Sequence, residues 1–296
     1  MEFQCNLCPR KCNATRGETG NGFCGMGSDP VLARAAPHFD EEPVISGVHG
    51  SGAVFFSGCC LRCRFCQNYE ISTENFGKRV SPETLRKIYF RLIDQGVHNI
   101  NLVNPTHFTR AILQSLEGGL PVPVVWNTGG YERVETLRAL EGKVQVYLPD
   151  LKYYHADAAG RYSAAPDYFP YASAAIREML RQTGPAQIDE NGLMVRGTMV
   201  RHLILPGRTQ ESMEILRWIR ENLPGAWVSL MAQYVPAGDA NGVDQLGRQL
   251  TQQEYDRVAD CLMELGLEDG FVQELSSSDE KYIPNFDLTG VLDEWT

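Results

Sequence analysis

The 296-residue sequence predicts an α/β protein, a partial barrel of about six strand-helix units preceded by a small cysteine-rich extension. Three observations carry this. Short apolar runs alternate with helix-patterned segments from residue 51 onward; eight of the nine cysteines fall before residue 67; and residues 1–50 are rich in Gly, Pro and Cys without a helical period. Alternating units give parallel strands joined by right-handed crossovers. Six units are too few for a closed eight-stranded barrel, and in such folds the chemistry sits at the C-terminal ends of the strands.

The elements follow in order. Residues 1–50 read as a metal-held knuckle and a connector, and residues 51–296 as the barrel with a closing C-terminal segment. Ala53-Val54-Phe55-Phe56 is a buried strand feeding the loop that opens at Ser57-Gly58. Ser81-Pro82 caps a helix running to Gly96, and Asn99–Val103 is the next strand. A helix over Phe108–Leu116 leads to a strand at Val122–Trp126, and one over Tyr131–Leu140 to a strand at Val144–Leu148. After a helical or irregular stretch come a strand at Met199–Leu205, a helix from Thr209 and a strand at Trp227–Met231. Thr251-Gln252-Gln253-Glu254 has the form of a capping box, and the helix it opens puts Cys261 on the core face with Val258, Leu262 and Leu265. The stretches Phe271–Leu275 and Tyr282–Phe286 either close the barrel mouth or cover its edge.

Hydrophobic residues make up 43% and charged residues 22%, as in ordinary globular chains, and the net charge of −10 argues against a nucleic-acid partner. No apolar signal core follows Met1 and no apolar run reaches the roughly 18 residues of a membrane span, so a cytoplasmic location is expected. Cysteines crowded into one end suit metal or cluster ligation better than a disulfide framework.

The segment Gly58-Cys59-Cys60-Leu61-Arg62-Cys63-Arg64-Phe65-Cys66 sets three cysteines at C-x3-C-x2-C after the first barrel strand. Three thiolates can hold a cubane cluster by three irons and leave the fourth open to an outside ligand. A zinc knuckle is the plainer alternative, but Cys60 beside Cys59 is expected to point elsewhere and act as a spectator.

This motif, with an aromatic residue before its last cysteine, resembles the signature of the radical S-adenosylmethionine (SAM) superfamily. The resemblance implies a TIM-like partial (β/α)6 barrel and a 4Fe-4S cluster on Cys59, Cys63 and Cys66, with Phe65 beside the cofactor. It further implies reductive cleavage of SAM to methionine and a 5′-deoxyadenosyl radical that abstracts hydrogen, and a one-electron donor such as flavodoxin or ferredoxin. Pro149-Asp150-Leu151-Lys152 and Val200-Arg201-His202-Leu203-Ile204-Leu205-Pro206-Gly207 are similar to strand-end motifs of the branch containing pyruvate formate-lyase activating enzyme. Asp150 and Lys152 thereby fall near the methionine end of SAM, Arg201 becomes a carboxylate or substrate contact, and the substrate becomes a partner enzyme's glycine. Where much of the superfamily has Gly-Gly-Glu, this chain has Asn104-Pro105-Thr106-His107, so Asn104 and Thr106 are candidates to hold the SAM amino group. Asn127-Thr128-Gly129-Gly130 offers Asn127 and a close backbone approach to the cofactor.

Each of these polar residues also has a structural reading: Asp150 pairing with Lys152, Arg201 in an ion pair, and His107 and His202 as hydrogen-bonded core residues. Cys5, Cys8, Cys12 and Cys24, spaced C-x2-C-x3-C-x11-C, describe a closed four-thiolate site for zinc or an additional iron-sulfur cluster, and the paired spacing with Cys24-Gly25 tilts toward zinc. The N-terminal form Cys5-Asn6-Leu7-Cys8-Pro9-Arg10 resembles activase-like proteins whose substrates are not settled. Radical modification of a small molecule or peptide side chain, and a non-catalytic iron-sulfur electron carrier, are the competing functions.

Overall fold

A computed structural model describes residues 2–275 and 284–291. Strands β1 (Phe3–Gln4) and β2 (Thr15–Arg16) form a small antiparallel ribbon. The chain then runs through β3 (Val31–His38), α1 (Pro43–Ser46), β4 (Ser51–Phe56), α2 (Tyr69–Ser72), β5 (Lys78–Arg79), α3 (Pro82–Asp94), β6 (Ile100–Val103), α4 (Thr109–Ser115), β7 (Val124–Thr128), α5 (Val134–Arg138) and β8 (Val146–Pro149). It continues with α6 (Ala156–Ser163), α7 (Tyr168–Thr183), β9 (Gln187–Ile188), β10 (Met194–Leu203), α8 (Thr209–Asn222), β11 (Trp227–Met231), α9 (Gln252–Glu264) and β12 (Gly270–Val272).

The main sheet has the order β12-β11-β10-β8-β7-β6-β4-β3-β5, with β9 paired to β10. From β4 to β12 every step along that path is parallel, as the alternation predicts. The sheet is strongly curved. In a flat sheet β6 and β10, three strands apart, would stand about 14 Å from each other. Yet one carboxylate, Glu41, bonds both Asn101 of β6 and Arg201 of β10.

The segment read as a connector belongs to this architecture. β3 is antiparallel to β4, pairing Leu32 with Phe56 and His38 with Ser51, so it delivers the chain to the barrel's N-terminal end. There Val44 and Ile45 of α1 pack on Val125, Val146, Leu148, Met194 and Met199 and plug the bottom. Hydrophobic periodicity could not announce this, because eight mixed residues and one helical turn give neither a clean alternation nor a helical stripe.

Other expectations hold with shifted bounds. Ser81 Oγ accepts from Thr84 N–H at 3.1 Å, and both hydrogen bonds of the capping box at Thr251 and Glu254 are made. Cys261 is buried. The helix expected over Tyr131–Leu140 shrinks to α5 because Glu132, at its start, turns into the core to meet three donors. β10 begins five residues early, at Met194, where it pairs with β9. Of the C-terminal stretches, Tyr282 and Ile283 lie outside the described residues; Pro284 lines the cavity described below, and Phe286 packs edge-on against Phe55 at 5.6 Å. Among the described residues no helix is long and apolar enough to cross a membrane.

Candidate functional site

A cavity of about 260 Å³ opens at the C-terminal ends of the parallel strands. Its walls include Cys59, Cys63, Phe65 and Cys66 from the loop after β4, Asn104 after β6, Asn127 and Gly129 at the end of β7, Asp150 and Lys152 after β8, and Arg201 on β10. Residues separated by as many as 142 positions thus share one mouth because parallel strands place all their C-termini at the same side.

The cysteine loop is held from several directions. Arg62 and Asn104 both adopt left-handed backbone, and Asn104 Nδ2 donates to the Gly58 carbonyl at 2.5 Å. Gly58 itself has φ of 79°, and a Cβ there would strike Met26, so the loop needs glycine to pass beneath the N-terminal extension. Each of the three candidate ligand sulfurs meets a donor. Leu61 N–H reaches Cys59 Sγ at 3.3 Å, Ser163 Oγ reaches Cys63 Sγ at 2.9 Å, and Ser72 hydrogen-bonds Cys66. Tyr153 Oη lies 2.6 Å from Ser163 Oγ and fixes its rotamer. A hydrogen bond from Cys60 brings the Cys59 thiol down to about 6, burial raises that of Cys63, and burial pushes Cys66 up to about 12. Sulfurs that already receive hydrogen bonds fit thiolates ligating a cluster, whose potential such bonds adjust. The donor set therefore suits a cubane on Cys59, Cys63 and Cys66.

Beside this loop Lys152 Nζ binds Asp150 Oδ2 at 2.6 Å. Burial would push the lysine toward its neutral form, but the charge of Asp150 and the nearby Cys63 and Cys66 outweigh it and raise its pKa. Asp150 moves the other way: its burial is overcome by the charges of Arg201 and Lys152, and its pKa falls. The ionised pair is thus self-consistent.

Arg201 reaches the cavity floor with every nitrogen engaged. Nε donates to Asp150 at 3.0 Å, Nη1 to Glu41 at 2.8 Å and Nη2 to Asn127 Oδ1 at 2.6 Å. Glu41 accepts in addition from Asn101 at 2.9 Å and from Asn127 at 2.8 Å. Next to it Glu42 accepts from Ser229 at 2.7 Å, and burial raises its pKa. Glu41, Glu42 and Ser229 escaped the sequence reading; an acidic pair one turn before a buried Val44-Ile45 is the only signal there was.

Some expectations need correction. Thr106 does not face the cavity: it is 1% exposed, and its hydroxyl donates to Glu132 Oε1 at 2.6 Å, together with Trp126 Nε1 and Thr128 Oγ1. It is tied up as a donor to a buried carboxyl that nothing in the sequence singles out. Asn127 lines the cavity, but both ends of its amide are committed to Glu41 and Arg201. His107 and His202 follow their structural reading. His107 Nε2 donates to the Ser57 carbonyl and His202 Nδ1 to the Leu151 carbonyl, both at 2.7 Å, and burial lowers them to about 3 and about 4.

The N-terminal extension docks against the loops at this same end. Arg10 binds the carbonyls of Cys60 and Ser163, each at 2.7 Å, and that of Ala164; Thr136 Oγ1 donates to the Leu7 carbonyl at 2.7 Å. Cys5, Cys8 and Cys24 are buried and Cys12 is exposed. Cys60 is buried, and its Sγ lies 3.8 Å from the Tyr131 carbonyl rather than facing the cavity. Among the described residues, no three Cys, His, Asp or Glu side chains converge tightly enough to share one ion.

Comparison with known proteins agrees with the cysteine chemistry. Residues 46–148 match a family described as a 4Fe-4S single cluster domain. The uncharacterized protein MJ0674 of Methanocaldococcus jannaschii is 30% identical over 277 residues, 89% of this chain and 75% of that one. Among solved structures, SuiB of Streptococcus suis bound to S-adenosylmethionine is similar at 13% identity and a TM-score of 0.47; the alignment covers 73% of this chain but 48% of SuiB, about half its length. A cysteine-to-alanine mutant of spore photoproduct lyase is similar at 12% identity and a TM-score of 0.48, with 74% of each chain covered. Through its kinship over most of both chains the protein belongs to the family of MJ0674, and its cysteine loop lies within the part that matches a 4Fe-4S single cluster domain.

Proposed function

We propose that the chain is a radical SAM enzyme whose cluster is held by Cys59, Cys63 and Cys66, and that Lys152 and Asp150 receive the methionine end of SAM. The observation that carries this reading is the shared cavity: three hydrogen-bonded thiols and a buried Lys-Asp pair face the same space at the strand ends. A 4Fe-4S cluster held by Cys59, Cys63 and Cys66 would supply the electron for reductive cleavage of SAM to methionine and a 5′-deoxyadenosyl radical able to take hydrogen from a substrate.

The residues of the chain do the rest. Lys152 is the cation available to a carboxylate, because it has one carboxylate partner while each nitrogen of Arg201 is already engaged. Arg201 therefore acts from below, orienting Asp150. Gly129 and Gly130 keep side chains out of the wall beside Lys152, and at Gly130, with φ of 80°, a Cβ would strike the Asp150 carbonyl. Leu61, Phe65 and Leu203 exclude water around the thiols.

The finer reading is hydrogen abstraction from a glycine of a partner enzyme. It rests on the resemblance of Asp150-Leu151-Lys152 and of the Arg201 strand to the activase branch, with a flavodoxin or ferredoxin as donor. The test is 5′-deoxyadenosine formation by anaerobically reconstituted protein given SAM and a strong reductant, alongside the electron paramagnetic resonance (EPR) spectrum of the reduced cluster. Cleavage together with a SAM-dependent change of spectrum is expected. A reducible cluster whose spectrum ignores SAM would replace this reading with the electron carrier.

A further inference from the structure

Arg10 ties the N-terminal extension to two parts of the site at once. A turn closed by the Lys11 N–H on the Cys8 carbonyl at 3.2 Å carries it, with Lys11 in left-handed backbone. Its Nε donates to the Cys60 carbonyl and its Nη2 to the Ser163 carbonyl, both at 2.7 Å, and Nη1 donates to the Ala164 carbonyl. The guanidinium lies over the Phe23 ring, 3.9 Å from its centroid, and 5.4 Å from that of Tyr131. Three directed bonds and two aromatic faces leave this side chain little freedom.

The three carbonyls belong to two different structures. Cys60 stands in the cysteine loop between Cys59 and Cys63, whereas Ser163 ends α6 and Ala164, with φ of 48°, terminates it in left-handed backbone. The last carbonyls of a helix have no partner within the helix, and a cation there is favoured by the helix dipole as well. Arg10 thus caps α6 from more than 150 positions away and grips the cysteine loop with the same fork. The other face of Ser163 shows what this arrangement does: its hydroxyl is 2.9 Å from Cys63 Sγ. The loop and the helix meet once more where Arg64 N–H donates to the Tyr162 carbonyl at 2.9 Å.

We infer that Arg10 is a positioning residue for the cysteine loop: its fork fixes the loop against the end of α6 and so keeps the Ser163 hydroxyl on Cys63. The inference rests on the reading of Cys59, Cys63 and Cys66 as cluster ligands, under which that hydroxyl addresses a ligated sulfur. Arg10 acts through Ser163 rather than by its charge. A lysine would keep the charge but lose the planar fork that spans both structures. The extension is thereby part of the site, although Arg10 does not itself line the cavity.

The first test needs no cluster. In the metal-free full chain, hydrogen exchange of the Leu61, Arg64 and Cys66 amides, all bonded within the loop or to α6, should quicken about tenfold in both Arg10→Gln and Arg10→Lys. Amides of β6, β7 and β8 should keep their wild-type rates. Thr136→Val removes a different tie of the extension, the bond to the Leu7 carbonyl, and should leave the loop amides unchanged. Wild-type loop exchange in both Arg10 variants would overturn the inference. So would equal quickening in Thr136→Val, which would assign the effect to docking of the extension as a whole, or quickening spread evenly over the sheet, which would be a general loss of stability. The second test is the midpoint potential of the reconstituted cluster, followed by EPR. Ser163→Ala should lower it in the wild type and shift it far less in the Arg10→Lys background, where the hydroxyl is already displaced. Equal shifts in both backgrounds would show that Arg10 does not act through Ser163. A chain that takes up no cluster would refute the ligand assignment instead, and the exchange comparison would still decide whether Arg10 holds the loop.

Discussion

The mouth and the floor of the cavity are built from different materials. At the mouth, three cysteines lie within eight consecutive residues and their sulfurs receive donors from Leu61, Ser163 and Ser72. At the floor, Glu41, Asn101, Asn127, Asp150 and Arg201 come from five separate segments and satisfy one another. The mouth holds groups in readiness for a ligand. The floor is already saturated, and its charges serve to hold strands β6, β7, β8 and β10 in a curved arrangement around the plug.

Substitution at each level should make a different property fail. Cys63→Ala should abolish 5′-deoxyadenosine formation and the bound cluster. Measured by urea unfolding of the metal-free protein, however, it should cost no more than about 1 kcal/mol, since one small buried sulfur is lost. A metal-free Cys63→Ala protein that does not fold would show that the mouth too is structural. Arg201→Met is the counterpart. It strands Glu41 and Asp150, whose side chains are 12% and 14% exposed, and should cost about 3–5 kcal/mol in the same unfolding experiment. A loss below about 1 kcal/mol would mean that the floor is not the stabilising network its geometry describes.

The two regions also differ in how far the sequence betrays them. C-x3-C-x2-C is local, so the ligand triad, the strand before it and the alternation after it could be read from spacing and period alone. Asp150, Lys152 and Arg201 were legible as strand-end residues, but whether each faces ligand or neighbour was not, because that depends on what arrives from elsewhere. Glu41 arrives from a segment whose strand, β3, pairs antiparallel and whose helix is a single turn, and neither leaves a periodic trace. Thr106 failed for the same reason: the partner that claims it, Glu132, is 26 residues away.

A smaller substitution asks whether the mouth is tuned as well as shaped. Ser163→Ala removes the hydroxyl 2.9 Å from Cys63 Sγ and leaves Tyr153 its ring packing. A hydrogen bond to sulfur favours the more negative, reduced cluster, so its loss should lower the midpoint potential. Taking about 1 kcal/mol for the bond gives roughly 40 mV for a one-electron couple. Potentiometry followed by EPR checks this, and an unchanged or raised potential would show that Ser163 does not address the ligated sulfur.

The finest test returns to the floor and uses pH. Glu42 is buried beside Glu41 and Asp150, and its pKa in the folded state is raised, first by desolvation. A carboxyl whose folded pKa exceeds its unfolded value binds more protons when folded. Its contribution is fully present below the unfolded value of about 4.5 and is lost as pH rises through the folded pKa. Glu42→Gln retains an oxygen for the Ser229 hydroxyl and removes the titration, leaving Glu41 and Arg201 paired. Stability should therefore fall less steeply in the variant than in the wild type as pH rises above the unfolded value of about 4.5, read from urea midpoints. A parallel pair of curves would mean that Glu42 is ionised throughout, and Arg201 would then face three carboxylates rather than two.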